Sequence, residues 1–231
     1  MPDRTYHQFC PIALAGEMIE PRWTMLVLCE IAAGSSRFSD IRRGVPGMSP
    51  SLLSRRLTEM AEHGLLRREL VAETGQWRYY PSRAGSELVP LIEGLGAWAH
   101  RHLDPNLDRC VIDDKLLMWN IRRKVRTAGF PDRRVVVEFM LQSDGAPDKH
   151  YWLIMRPGCD TDLCSIDPRF DVDLYVVCDL RALTAAWMGH STFATEAARG
   201  KIKLIGDRAL ARTLTDWLVR SSFADPDKLS A

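Results

Sequence analysis

The chain has 231 residues, 46% of them apolar, and a formal net charge of +1. This length fits one large or two modest domains with real cores, and the near-zero charge excludes a polycation, so any nucleic-acid surface must come from local clustering. No apolar run is long enough to cross a bilayer and none near the start resembles a signal peptide, so the expected location is cytoplasmic, with no membrane partner. The six cysteines are scattered without C-x-x-C spacing, and in a reducing compartment most are expected to be free thiols, several of them buried.

Residues Cys10 to Glu20 alternate apolar and small side chains at helical spacing, with Pro11 at the first helical position. Cys10 then lies beside a helix N-terminus, where the dipole favours a thiolate, and it is the redox candidate; a packed, inert cysteine is the alternative. Arg22 to Ala33 is apolar almost all round, the pattern of a buried helix, and Gly34 ends it. A short helix is expected around Phe38 to Arg43, capped by Ser36 or Ser39, before a turn at Gly44, Pro46 and Gly47.

The most informative stretch is Met48 to Leu70. Ser49 is a good N-cap, Pro50 suits the first helical position and Gly64 suits a left-handed stop. Leu52, Leu53, Leu57, Met60 and Ala61 share one face, while Ser51, Ser54, Arg55, Thr58 and Glu62 point elsewhere. The exposed face is short and polar at its start and basic in its middle, which suits a helix lying in a DNA major groove. An ordinary amphipathic surface helix has the same pattern. Leu65 to Val71 and Gln76 to Tyr80 read as two strands joined by a turn at Glu73, Thr74 and Gly75, a wing on which Arg67, Arg68 and Arg78 can meet phosphate. From Arg83 to Leu103 a longer helix carries Leu88, Leu91, Ile92, Leu95 and Trp98, a near-heptad stripe expected to be a homodimer seam or to pack on the second half. Pro90 is expected to kink or restart it.

The ordered series Cys10-Pro11, Arg22-Trp23-Thr24, Arg37-Phe38-Ser39-Asp40-Ile41, Gly47-Met48-Ser49, Leu53-Ser54-Arg55-Arg56-Leu57, Gly64-Leu65-Leu66, Gly85, Leu88-Val89-Pro90 and Trp98 resembles the HxlR-type winged-helix regulators, relatives of MarR-type proteins. The resemblance implies a dimeric DNA-binding regulator whose recognition helix starts at Ser49. Some members of that family use the cysteine at the Cys10 position as a redox or electrophile sensor.

Asp104-Pro105-Asn106 reads as a linker. Beyond it, Asp113 to Val125 is a helix ending in the basic cluster Arg122, Arg123, Lys124 and Arg126. Strands are expected at Arg134 to Leu141, Lys149 to Met155, Thr161 to Ile166 and Asp171 to Cys178, the first two as a hairpin about Ser143, Asp144 and Gly145. Helices at Leu180 to Met188 and Phe193 to Arg199, a strand at Lys201 to Ile205 and one final helix from Asp207 to Val219 complete the pattern. Asp173-Leu174, the helix with Leu183, Ala186 and Trp187, and the run Gly200 to Asp207 with Leu210-Ala211 resemble sterol carrier protein-like domains. That resemblance implies an α/β sandwich around an apolar cavity. Trp119, Phe139, Trp152, Trp187, Phe193 and Trp217 could line such a cavity or fill a solid core.

Catalytic chemistry finds no foothold. His100 and His102 diverge on a helix, Cys159 and Cys164 lack zinc spacing, and the aspartates from Asp160 to Asp173 lack the calcium-loop pattern. The expectation is therefore a non-enzyme without cofactor or metal, of α+β class. An N-terminal winged helix-turn-helix domain with its dimerisation helices spans 1–104, and a sterol carrier protein-like domain spans 110–225. It is expected to bind double-stranded DNA as a homodimer through Arg37, Arg43, Ser49, Pro50, Ser51, Ser54, Arg55, Thr58, Gln76 and Arg78, modulated by a hydrophobic small molecule or by the Cys10 thiol. The alternative is a lipid carrier or interaction module whose winged helix does not bind DNA.

Overall fold

The computed structural model describes residues 5–103, 107 and 111–225, and the chain divides into two units, the first ending at Leu95 and the second beginning at Gly96. The linker expected at Asp104 to Asn106, and Cys110, lie outside the described residues.

In the first unit, α1 spans Pro11–Ile19, α2 Thr24–Ala32, α3 Phe38–Gly44 and α4 Pro50–Glu62. The strands β1, Leu66–Val71, and β2, Gln76–Pro81, pair antiparallel as the wing, and α5 runs Arg83–His102. The core gathers Val27, Leu28 and Ile31 of α2, Ile41 of α3, and Leu53, Leu57 and Met60 of α4. Gly64 takes φ +74°, so the chain reverses after α4 at a residue with no Cβ to strain, and Leu65 N–H closes on the Met60 carbonyl at 2.9 Å. Gly85 lets α5 start against the turn before β1, because a Cβ there would collide with the Leu65 carbonyl oxygen.

Several local details differ from the sequence expectation. Neither Ser36 nor Ser39 caps α3: Arg37 is the N-cap and makes no side-chain cap bond. Ser36 instead faces the wing, where its carbonyl accepts from Tyr79 N–H at 2.9 Å and its hydroxyl from Arg78 Nη1 at 3.2 Å. The helix α5 continues through Pro90 without a break. On α2 the all-round apolar pattern does not mean all-round burial, since Leu26 is exposed. The core also contains charge: Glu30 is buried and accepts the Ser35 hydroxyl at 2.6 Å.

The second unit opens with the end of α5 and then α6, Asp114–Lys124. A five-stranded sheet follows, made of β3 (Val135–Ser143), β4 (Ala146–Met155), β5 (Asp162–Cys164), β6 (Leu174–Asp179) and β7 (Ile202–Gly206) in the order β5-β4-β3-β6-β7. Only the β3–β6 pair is parallel. The helices α7 (Leu180–Met188) and α8 (Phe193–Ala198) precede β7, and the short α9 (Arg208–Arg212) and α10 (Leu214–Trp217) follow it.

Alternation puts Val135, Val137, Phe139 and Leu141 of β3 in one core with Tyr151, Leu153 and Met155 of β4 and Leu174, Val176 and Cys178 of β6. The single final helix expected from Asp207 is interrupted at Thr213, whose hydroxyl donates to the Ala209 carbonyl at 2.9 Å. Such back-bonding competes with the helix ladder. The strand expected from Asp171 starts later, because Asp173 is a junction: its carboxylate accepts from Val136 N–H at 2.8 Å and pairs with Arg133 at 2.8 Å, and its carbonyl takes Asp207 N–H at 2.8 Å. Buried Asp114 clips α6 to β4 by accepting from Lys149 Nζ at 2.6 Å and from the Tyr151 hydroxyl. Burial opposes its charge, but these donors outweigh burial and hold its carboxyl below the ordinary range. Burial, reinforced by the same carboxylate, pushes the Tyr151 phenol up.

Candidate nucleic-acid interface

The helix α4 is amphipathic, so packing decides its exposed face. Leu53, Leu57 and Met60 are buried, while Ser49, Pro50, Ser51, Ser54, Arg55 and Thr58 are exposed. Ser54, Arg55 and Thr58 lie three, four and seven residues after Ser51, so the four form one stripe. Ser49 caps the helix by accepting from Leu52 N–H at 3.3 Å, and its hydroxyl lies 3.3 Å from that of Ser51. Thr58 donates to its own helix at the Ser54 carbonyl, 3.2 Å away. The stripe thus offers hydroxyls at the helix start and one long cation in its middle.

The sequence reading missed the residue that sets the behaviour of that cation. Arg56 is buried, and its Nη1 lies 2.7 Å from Glu59 Oε2. Arg55 reaches the same carboxylate only at 3.7 Å, with 54% of its side chain exposed. A buried arginine needs a close carboxylate, so Glu59 belongs to Arg56 and leaves Arg55 weakly held. An exposed guanidinium held this loosely can exchange its partner for a phosphate. Alternating i,i+3 charge pairs are common on helices, so the sequence carried no signal for this division of roles.

Around α4, Arg43 is exposed and 3.8 Å from Asp40, and Arg37 is exposed at the head of α3. Arg37 also bridges to Arg78, adding a short third edge to the wing. Half-buried Arg78 is partly engaged with Ser36, whereas Gln76 is exposed. On the wing, Arg67 pairs with Glu69 and lies 4.5 Å over the Tyr80 ring, and Arg68 lies 4.8 Å over Trp77. These are direct and diagonal cross-strand partners, so the aromatic rings hold the wing cations in place.

The proposed seam residues on α5 separate into two sets. Leu88 and Ile92 pack against the first unit's own core, while Leu91, Leu95 and Trp98 are exposed. Ile12 and Leu14 of α1 and Leu26 of α2 are exposed as well. Cys10 is the half-buried N-cap residue of α1, with Pro11 behind it. Cys29 differs: burial, then Glu93 and Glu30, push its thiol up to about 11. All six aromatic residues considered for a ligand cavity, Trp119, Phe139, Trp152, Trp187, Phe193 and Trp217, are buried. Phe193 borders a cavity of about 400 Å³ and Trp217 another of about 250 Å³.

The HxlR-like helix-turn-helix profile matches residues 18–107. The chain is 31% identical over 101 residues to the HTH-type transcriptional regulator YvaP of Bacillus subtilis (strain 168), covering 43% of this chain and 94% of that protein. It is 32% identical over 90 residues to an HTH-type transcriptional regulator of Methanothermobacter thermautotrophicus, covering 38% and 69%. Among solved structures, the reduced form of the transcriptional regulator YodB from B. subtilis aligns over 43% of this chain and 99% of its own at 26% identity, with a TM-score of 0.38.

Replacing Arg55 with alanine is expected to weaken DNA binding across all duplex sequences and to lower the slope of log affinity against log salt by about one. Arg83→Ala, which removes an exposed arginine of α5 paired with Glu87 at 2.9 Å, should change neither. Fluorescence anisotropy over a salt series checks both, and an unchanged slope in the Arg55 variant would remove the phosphate role.

Proposed function

The chain belongs to the HxlR-like helix-turn-helix family of transcription regulators, and from that premise we propose that it binds a specific palindromic DNA site as a homodimer. The observation that carries this reading is the exposed hydroxyl-and-arginine stripe on α4, backed by a buried apolar face and flanked by the wing. Ser51 and Ser54 approach base edges, while Arg55, Arg43, Arg37 and the wing arginines hold phosphates. The chain acts by binding and not by catalysis. No helix among the described residues is long and apolar enough to cross a membrane.

Dimerisation rests on Leu91, Leu95 and Trp98, which recur at four and three residues on α5 and are each at least half exposed. Apolar side chains clustered this way mark an association surface. Two recognition helices would then enter major grooves about one helical turn apart. Regulation has two candidate inputs. Cys10 is partly accessible at a helix start, and the second unit, which resembles sterol carrier-like domains, supplies a ligand receptor. A ligand can act only by binding one dimer geometry better than another.

Light scattering should show a dimer for the wild type and a monomer for the Leu91→Glu/Leu95→Glu variant, and that variant should lose at least tenfold in affinity for a duplex selected from random sequence. A monomeric wild type that retains full affinity would refute the dimer. A wild type that selects no duplex would leave a carrier or interaction module instead. For the thiol input, peroxide should change the DNA affinity of the wild type and leave Cys10→Ser unaffected. An equal response of both would end the switch.

A further inference from the structure

The cavity of about 400 Å³ in the second unit falls in the size range of small-molecule sites. Its frame is fixed by backbone bonds on both sides. Arg126 N–H donates to the Trp217 carbonyl at 2.9 Å, next to a bridge between Val125 and Leu218. Ser221 N–H donates to the Trp187 carbonyl at 2.9 Å, and Trp187 Nε1 to the Val219 carbonyl at 3.1 Å. The segment from Trp217 to Ser221 is therefore held between the end of α6 and the end of α7, so the cavity is built before any ligand arrives.

The lining is amphiphilic. Phe193 and Val219 give it apolar surface, and Phe193 is buried. Lys124, Arg126 and Arg220 supply three cations against the single carboxylate of Asp225. Lys124 Nζ already lies 3.4 Å from the Ser222 hydroxyl, whereas the side chains of Arg126 and Arg220 sit exposed at the rim. An apolar pocket with cations at its edge suits a molecule with an oily body and an acidic head. A wholly apolar ligand would make no use of the two exposed arginines, Arg126 and Arg220.

We propose that this cavity binds an amphiphilic organic anion, with its apolar body against Phe193 and Val219 and its carboxylate, sulfonate or phosphate head among Arg126, Arg220 and Lys124. As a regulatory device this rests on the reading of the second unit as a receptor; as a binding site it stands alone. The turn that borders the cavity also carries Phe223, whose ring packs so closely on Gly96 that a Cβ there would come within 2.6 Å of it. Both residues belong to the second unit, so the cavity's turn is packed on the part of α5 within that unit.

The test uses the full-length protein and two fluorescent probes that share an aromatic body, 8-anilinonaphthalene-1-sulfonate and the uncharged N-phenyl-1-naphthylamine. The sulfonate should bind saturably at one site per chain. The Arg126→Gln/Arg220→Gln variant should weaken it about tenfold while leaving the uncharged probe unchanged. Both positions are exposed, and the Arg126 backbone bond survives the change; circular dichroism confirms that the variant is folded. Equal sulfonate binding by wild type and variant, or no saturable site, would overturn the proposal. Operator affinity measured with and without saturating sulfonate separates the two claims: arginine-dependent binding that leaves operator affinity unchanged keeps the site and removes the receptor reading.

Discussion

Burial of Leu53, Leu57 and Met60 is the constraint from which the exposed face of α4 follows. A thirteen-residue helix with three large side chains in the core has no rotational freedom left. Each such side chain contributes roughly 1.5–3 kcal/mol through burial, so turning the helix by even a quarter turn would forfeit several of them. The polar stripe therefore has a fixed direction. Its cation has a defined strength as well, because Arg56 inside the unit claims Glu59 and leaves Arg55 outside.

Much of this was legible in the residues. The Ser49 cap, the Pro50 start, the Gly64 reversal and the wing register all follow from local chemistry, and local chemistry is what a sequence shows directly. The unread features depend on contacts between distant residues. Arg56 and Glu30 have near neighbours as partners, Glu59 and Ser35, but spacing alone does not say that these charges go inside; only the packing of the unit around them does. The Arg37–Arg78 bridge is one residue pair long, too short to leave an alternating pattern. Hydropathy placed Ile12, Leu14 and Leu26 on helices but could not say that these side chains stay exposed among the described residues. That exposure is legible only once the core is seen to close without them.

The second unit shows the same division. The β3–β4 hairpin follows from alternation and turn residues, and most predicted elements lie within a few residues of their observed bounds, whereas the strand order with its parallel β3–β6 pair does not follow from either. The aromatic residues carried less information, because burial in a core and the lining of a cavity require the same apolar side chains. The core takes up Phe139 and Trp187, while cavity space gathers instead where α6 ends and the last segment crosses it. That crossing is set by the Arg126–Trp217 and Ser221–Trp187 backbone bonds, which join residues far apart in the chain.

The most direct measurement is methylation protection on a palindromic duplex selected by the protein from random sequence. If the α4 stripe occupies the major groove in two copies, guanine N7 positions should be shielded in two clusters about one helical turn apart. Protection confined to adenine N3 in the minor groove, or a single unpaired cluster, would contradict the account.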